Sequence, residues 1–202
     1  MPECRLETWR CFVAVVPSAP ILERLSRALA QARRERAEAF SALRWTRDEQ
    51  RHITLRFLPE VEVHEALPRL IARLGEAVAA LPSTEVRIGG VGVFPPRGRP
   101  RVVWVAARAE SDMLHRAVEA VATACRGAGF GLAEERFVPH ITLARVRRGG
   151  HPPSSSTLTA ALEGSLGPDL GAFEMDELVL FRSELQPSGP RYTRIATFKT
   201  AS

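Results

Sequence analysis

Lysine is almost absent from this chain: Lys199 stands alone among 28 basic residues, and the other 27 are arginines. A phosphate-cradling P-loop needs Gly-Lys-Ser/Thr, and ATP-dependent nucleotidyl ligases and Schiff-base enzymes need a placed amine. Lys199, between Phe198 and Thr200, matches neither pattern. Cysteine is scarce as well. Cys4, Cys11 and Cys125 are odd in number and show no Cys-x-x-Cys spacing, which argues against a disulfide framework and against a thiolate zinc site. Free thiols lead us to expect a cytoplasmic protein. No apolar run is long enough to span a bilayer. The opening Met1-Pro2-Glu3-Cys4-Arg5 enters a short apolar stretch broken by Pro17, which does not read as an export signal. A transmembrane protein, a disulfide miniprotein and a disordered tail are thereby set aside. What is present is ordinary globular composition: 202 residues, 45% hydrophobic and 25% charged, enough for one large domain or two small lobes around a real core. The net charge of +5 favours nucleic-acid or nucleotide partners, although the arginine bias alone could produce it.

Hydrophobic periodicity predicts alternating strands and helices. Thr8 to Val16 reads as a strand stopped by Pro17, and Leu and Ala recur at helical spacing from Ser18 to Phe40. A strand from His52 to Leu58 ends at Pro59, and a second helix runs from His64 to Leu81. Two strands, Glu85 to Phe94 and Arg101 to Arg108, flank the turn segment Pro95 to Pro100. A third helix from Ser111 or Asp112 to about Arg126 is followed by a strand from His140 to Val146. After a Gly/Pro/Ser-rich loop, Arg147 to Ser156, come a short helix from Thr157 to Leu166 and strands at Phe173 to Phe181 and Tyr192 to Phe198. The segment Gln186-Pro187-Ser188-Gly189-Pro190 separates those last strands as a hairpin break. No Gly-x-Gly-x-x-Gly follows the first strand, and the element order is too mixed for a doubly wound sheet. The expected class is α+β with mostly antiparallel sheets.

One tetrapeptide occurs twice unchanged, His52-Ile53-Thr54-Leu55 and His140-Ile141-Thr142-Leu143, 88 residues apart. Within a strand, His and Thr project from one face and Ile and Leu from the other. Each copy is a polar pair backed by core. A single such motif is weak, since a strand histidine is more often structural than catalytic. Two identical copies near half a chain length apart fit a duplication whose halves face each other across a groove. Opposed imidazoles form a general acid and a general base, because an imidazole titrates near neutral pH. Two threonine hydroxyls between them suit the non-bridging oxygens of a phosphodiester undergoing in-line displacement. Such a site needs no metal.

The chain resembles the two-histidine phosphoesterases, and within them the bacterial and archaeal RNA 2',3'-cyclic phosphodiesterases, also called 2'-5' RNA ligases or LigT-like proteins. The resemblance is carried by the paired motifs, by Trp9 to Val15, Arg44-Trp45, Phe57-Leu58, Val93-Phe94-Pro95, Pro100 to Val105, Phe137 to Arg145, and Gly189-Pro190-Arg191-Tyr192. It implies one bilobed domain over residues 1–202, with pseudo-two-fold antiparallel sheets lining a central groove, helices outside, and both chain ends in one lobe. It also implies His52 as proton donor, His140 as proton acceptor, and Thr54 and Thr142 as phosphate holders. The implied reaction opens a 2',3'-cyclic phosphate at an RNA end to a 2'-phosphomonoester. The reverse logic gives ATP-independent 2'-5' ligation. No cofactor and no membrane partner are implied, and a groove within one chain leads us to expect a monomer.

Two positions depart from the family pattern: Pro59 stands where Gly is usual after Phe57-Leu58, and Phe181 stands where Tyr is common. Both are expected to alter the groove rim and with it substrate preference. Arg145 would face away from Thr142 on a regular strand, so its reach to phosphate requires the strand to end or bulge. Tyr192, the only tyrosine, is a candidate to stack on a terminal base with Phe57 or Trp45. Arg51, Arg56, Arg97, Arg99, Arg101, Arg147 and Arg148 read singly as solvated charges and together as a basic groove. His64, His115 and His151 read as surface residues. Two rivals stand beside the phosphodiesterase reading. One is a metal-dependent hydrolase, for which no Asp or Glu lies within two residues of either motif histidine. The other is a non-catalytic RNA-end or nucleotide-binding module on the same fold.

Overall fold

Strand β1 (Thr8–Val15) is buried from Cys11 to Val15 because both of its faces are covered. Cys11, Val13 and Val15 join the main core, while Phe12 and Ala14 point the other way into a small cluster with Val179 and Phe181. The computed structural model describes residues 6–131, 136–187 and 189–201; Cys4 and the Ser188 of the last hairpin lie outside them. Helix α1 (Ala19–Glu35) starts with proline in its first turn and buries Ile21, Leu25, Leu29 and Ala32, a stripe at three and four spacing. Strand β2 (Leu43–Trp45) and β3 (Ile53–Glu62) follow, then α2 (Ala66–Ala79), which buries Leu67, Leu70, Leu74 and Val78 by the same pattern. Next come β4 (Thr84–Phe94), β5 (Val102–Ala109), α3 (Met113–Gly127) and β6 (His140–Val146). The chain closes with α4 (Ser155–Leu166), β7 (Gly171–Met175), β8 (Glu177–Gln186) and β9 (Gly189–Lys199). Ser154 caps α4 by accepting from the Thr157 amide at 3.2 Å.

All strand pairs are antiparallel, in the order β7-β4-β5-β6-β3-β1-β8-β9, with β2 beside β6 off that path. Four strands lie on each side of the β3–β6 junction, where the ladder pairs Ile53 with Ile141. The α+β class and the bilobed duplication are therefore present. Helices cover the outer face of this curled sheet: α1 packs on α4 and touches β7, α4 lies on β4, and α2 packs against α3, β9 and β3. The first and last strands share one lobe, where β8 pairs with both β1 and β9.

Bulges occur at matching places in the two halves. On β3, Ala14 faces Thr54 and Val13 faces Arg56, leaving Leu55 as the extra residue. On β6, Trp104 faces Thr142 and Val103 faces Ala144, leaving Leu143 extra. Each motif leucine is thus the bulged residue of its strand, and the side-chain alternation resets there.

Several sequence expectations need correction. Helix α1 ends at Glu35, because Glu35 and Arg36 fall where the apolar stripe would continue. Phe40 instead turns back into the core, edge-on to Trp45 at 5.4 Å. Strand β3 runs through Pro59 to Glu62. Trp9 faces Val61 and Cys11 faces Leu58, so one extra residue between Leu58 and Val61 makes a bulge that accommodates the proline. The single strand expected at Phe173 to Phe181 is two strands separated at Asp176, one pairing with β4 and the other with β1. Strand β2 has no counterpart among the expected elements, since three residues carry no readable period. Among the described residues no helix is long and apolar enough to cross a membrane.

Candidate active site

The junction between the two sheet halves brings the repeated tetrapeptides together. With Ile53 opposite Ile141, one antiparallel step in each direction sets His52 against Thr142 and Thr54 against His140. The isoleucines are wholly buried, and the histidines and threonines emerge on the opposite, concave face. A local pseudo-two-fold axis therefore passes between Ile53 and Ile141. It alternates imidazole and hydroxyl around one centre.

Both imidazoles are oriented in the same way. His140 Nδ1 lies 2.6 Å from the Val138 carbonyl oxygen, and His52 makes the equivalent bond to the Gln50 backbone, also two residues earlier. A ring nitrogen tied to a carbonyl must carry the proton, which leaves the other nitrogen with its lone pair available to the groove. Aromatic rings complete each setting. Phe12 stacks on His52 at 4.7 Å, with Tyr192 edge-on at 5.3 Å. Phe94 lies edge-on to His140 at 5.1 Å, with Trp104 at 5.9 Å. Burial among these rings disfavours the charged form and pushes His52 down to about 4, aided by the neighbouring positive charges of His140 and Arg145 and opposed by the Gln50 bond. His140 is lowered for the same first reason, with Arg145 contributing and the Val138 bond opposing. Both shifts favour the neutral imidazole over the charged one at neutral pH.

His52, Thr54, His140, Thr142, Arg145 and Tyr192 all line one cavity of about 260 Å³. Both motif histidines, both motif threonines, Arg145 and Tyr192 are therefore brought to one place. Arg145 reaches it through the Leu143 bulge: Leu143 and Ala144 are both buried, so the next residue returns to the face of Thr142. Phe57, five residues after His52 as Arg145 is after His140, lines the other end of the same cavity. The duplicated frame thus carries a guanidinium at one end and a phenyl ring, covered by Arg10 at 5.3 Å, at the other.

The structure changes the reading of several individual residues. Phe181 is buried and stacks on Phe12 at 5.1 Å, so this departure from the family pattern lies beneath His52 and not on the rim. Arg51 is buried, bonded to Asp48 Oδ1 at 2.6 Å and Ser26 Oγ at 2.5 Å; it holds the β2–β3 connection in place. Trp45 lines an adjoining cavity and not the one around the histidines. His64, His115 and His151 are exposed, as expected. Sequence reasoning misses the rings Phe12, Phe94 and Trp104 as parts of the site. Their only local signal is their place on strands predicted to flank the motifs. Both described cysteines are free and buried, and burial pushes each thiol up to about 11.

A duplicated, curled antiparallel sheet with a His-x-Thr pair from each half meeting at its centre defines a two-histidine phosphoesterase. Comparison with known proteins agrees. The model of the LigT-like phosphoesterase family matches this chain twice, over residues 16–104 and 105–192, one motif in each match. An RNA 2',3'-cyclic phosphodiesterase of Aeropyrum pernix is 33% identical over 176 residues, 86% of this chain and 96% of that protein. One of Archaeoglobus fulgidus is 30% identical over 94% of this chain and 99% of its own length. A crystal structure from Thermus thermophilus superimposes with a TM-score of 0.71 at 31% identity, covering 94% of this chain and 97% of that one. The chain belongs to the LigT-like phosphoesterase family.

Proposed function

We propose that this protein hydrolyses 2',3'-cyclic phosphate ends of RNA to 2'-phosphomonoesters by metal-independent transfer of protons between His52 and His140. One observation carries the reading: two imidazoles, each tied by one nitrogen to the carbonyl two residues earlier, face one groove with a threonine hydroxyl opposite each. The names of the relatives support the substrate. Thr54 and Thr142 donate to the non-bridging phosphate oxygens, and Arg145 offsets their charge. His140 accepts a proton from water through its free nitrogen, the water oxygen attacks phosphorus, and the bond from phosphorus to O3' breaks. His52 delivers a proton to that oxygen, leaving a 3'-hydroxyl and a 2'-phosphate. The arriving anion supplies the condition for this step, because negative charge beside a buried imidazole favours its protonated form. Solvent exchange then resets both rings.

Residues 1–202 act as one bilobed unit, monomeric and cytoplasmic, without cofactor. With a 5'-hydroxyl RNA end in place of water, that oxygen attacks phosphorus, the bond to O3' breaks and takes up a proton, and the same pair forms a 2'-5' bond without ATP; run backward, it cleaves that bond. The test is incubation of protein in EDTA, without ATP, with an RNA oligonucleotide ending in a 2',3'-cyclic phosphate. The expected product is a 2'-phosphate that resists a 3'-specific phosphatase, and its formation is lost in His52→Ala and His140→Ala. Tight binding without turnover would instead identify an RNA-end-binding module.

A further inference from the structure

Arg44 on β2 lies directly opposite Arg145 on β6 in the antiparallel register. Like charges facing each other across two strands are unfavourable. No hydrogen bond or ion pair joins either guanidinium to another group among the described residues, and both are exposed. The two arginines share the wall of a second cavity, about 120 Å³, lined also by Trp45, Gln50, Thr142 and Tyr192. Thr142, Arg145 and Tyr192 line the histidine cavity too, so the two spaces are neighbours with a common wall.

This second wall is built and braced. The Thr46 hydroxyl bonds the carbonyls of Thr142 and Leu143, each at 2.9 Å. Gln50 Nε2 donates to the Pro190 carbonyl at 2.7 Å, joining the connection after β2 to the β8–β9 hairpin. Buried Arg51 anchors the same connection from behind. Two unpaired guanidiniums on a braced wall, facing a polar cavity, form a site for an anion. Its common wall with the histidine cavity selects which anion.

We propose that Arg44 and Arg145 together bind the phosphate on the 5' side of the terminal nucleotide, so that the enzyme selects cyclic-phosphate ends that belong to a chain over free nucleoside cyclic phosphates. The inference rests on the proposed function, since it places the next phosphate relative to the one held by Thr54 and Thr142. Arg145 then serves both phosphates, and Arg44 serves the second. Trp45 offers an aromatic wall to the preceding nucleoside.

The test compares three substrates: a nucleoside 2',3'-cyclic phosphate, the same compound bearing a 5'-phosphate, and a dinucleotide ending in the cyclic phosphate. We expect kcat/KM to rise at the second compound, with the third no lower. In Arg44→Ala the preference for the 5'-phosphorylated compound over the unphosphorylated one should fall by about tenfold to a hundredfold, the worth of a charge-assisted bond. Arg44→Lys should retain part of it. The slope of log kcat/KM against log salt for the dinucleotide should flatten by about 0.7 in Arg44→Ala, one lost phosphate contact. Equal turnover of the first two compounds by the native protein, or an unchanged preference in Arg44→Ala, would overturn the proposal. Turnover of the unphosphorylated compound reports separately on folding and on the chemistry: if no compound is hydrolysed by the native protein, the proposed function fails as well.

Discussion

Ile53 stands directly opposite Ile141, and this pair joins the two halves of the sheet. Side chains alternate along a strand, so burying both isoleucines on the core side turns the flanking His and Thr of each copy onto the concave side. The antiparallel sense then sets imidazole against hydroxyl twice. A slip of one residue in either strand would send that strand's His and Thr into the core. The wholly apolar packing behind the isoleucines excludes that register.

Replacing either histidine should cost about 10²- to 10⁴-fold in kcat, the usual worth of a positioned acid or base. If the proposed proton relay holds, His52→Ala/His140→Ala should fall little below the worse single variant. Steady-state hydrolysis of the cyclic-phosphate oligonucleotide checks this. Losses that multiply would show that the rings act in independent steps.

The pH profile follows from burial. The proposed mechanism needs one ring neutral and the other charged, and burial lowers both from the usual histidine value of 6.5. Activity measured as kcat/KM, which reports the free enzyme, should therefore be bell-shaped with its maximum on the acid side of 6.5. Bound phosphate favours the protonated rings, so the maximum in kcat should lie at higher pH. A profile flat from pH 5 to 9 would contradict the acid-base pair. Stability has a linked sign: below 6.5 the unfolded chain takes up protons that the folded His52 refuses until about pH 4. Thermal midpoints should fall as pH drops through that window, and fall less in His52→Gln.

Arg145 lowers both imidazoles by its charge. Its replacement by alanine should let each ring hold its proton to higher pH, an upward shift readable by NMR titration of the histidine ring protons. The same variant should lose about tenfold to a hundredfold in kcat/KM through the missing phosphate contact. Arg145→Lys should keep the electrostatic effect and lose the bidentate geometry.

Gly92 is required by Trp104. A Cβ at this position would run into the indole ring, and that ring lies beside His140. Gly92→Ala should therefore destabilise the fold by about 1 to 3 kcal/mol, typical of overpacking. Displacement of the ring should also lower turnover. Calorimetry and tryptophan fluorescence would register both effects, and an unchanged melting temperature would show that the ring has free space to move.

Much of the site was legible because its signal is local. An exact repeat of His-Ile-Thr-Leu, each copy in a β-rich run, specifies which residues share a face without reference to anything distant. The residues around it give no such signal. Pro59 reads as a strand end, yet the strand continues through a bulge made possible by the offset between β1 and β3. Phe173 to Phe181 reads as one strand, because alternation does not reveal that its halves pair with partners in different lobes.

Arg145 marks where the local signal stops. Its spacing from Thr142 alone sets it on the wrong face, and the bulge that corrects this comes from pairing with β5, a strand some forty residues earlier in the chain. Arg44 is a neighbour of Arg145 only because β2 pairs with β6. The chemical identity of the site, two histidines and two threonines in strand spacing, was contained in the order of the amino acids, since strand geometry acts over two residues. Which cations, rings and cavities surround it depended on registers between distant strands. Those are set by how the whole core packs, and no short stretch of sequence encodes that sum.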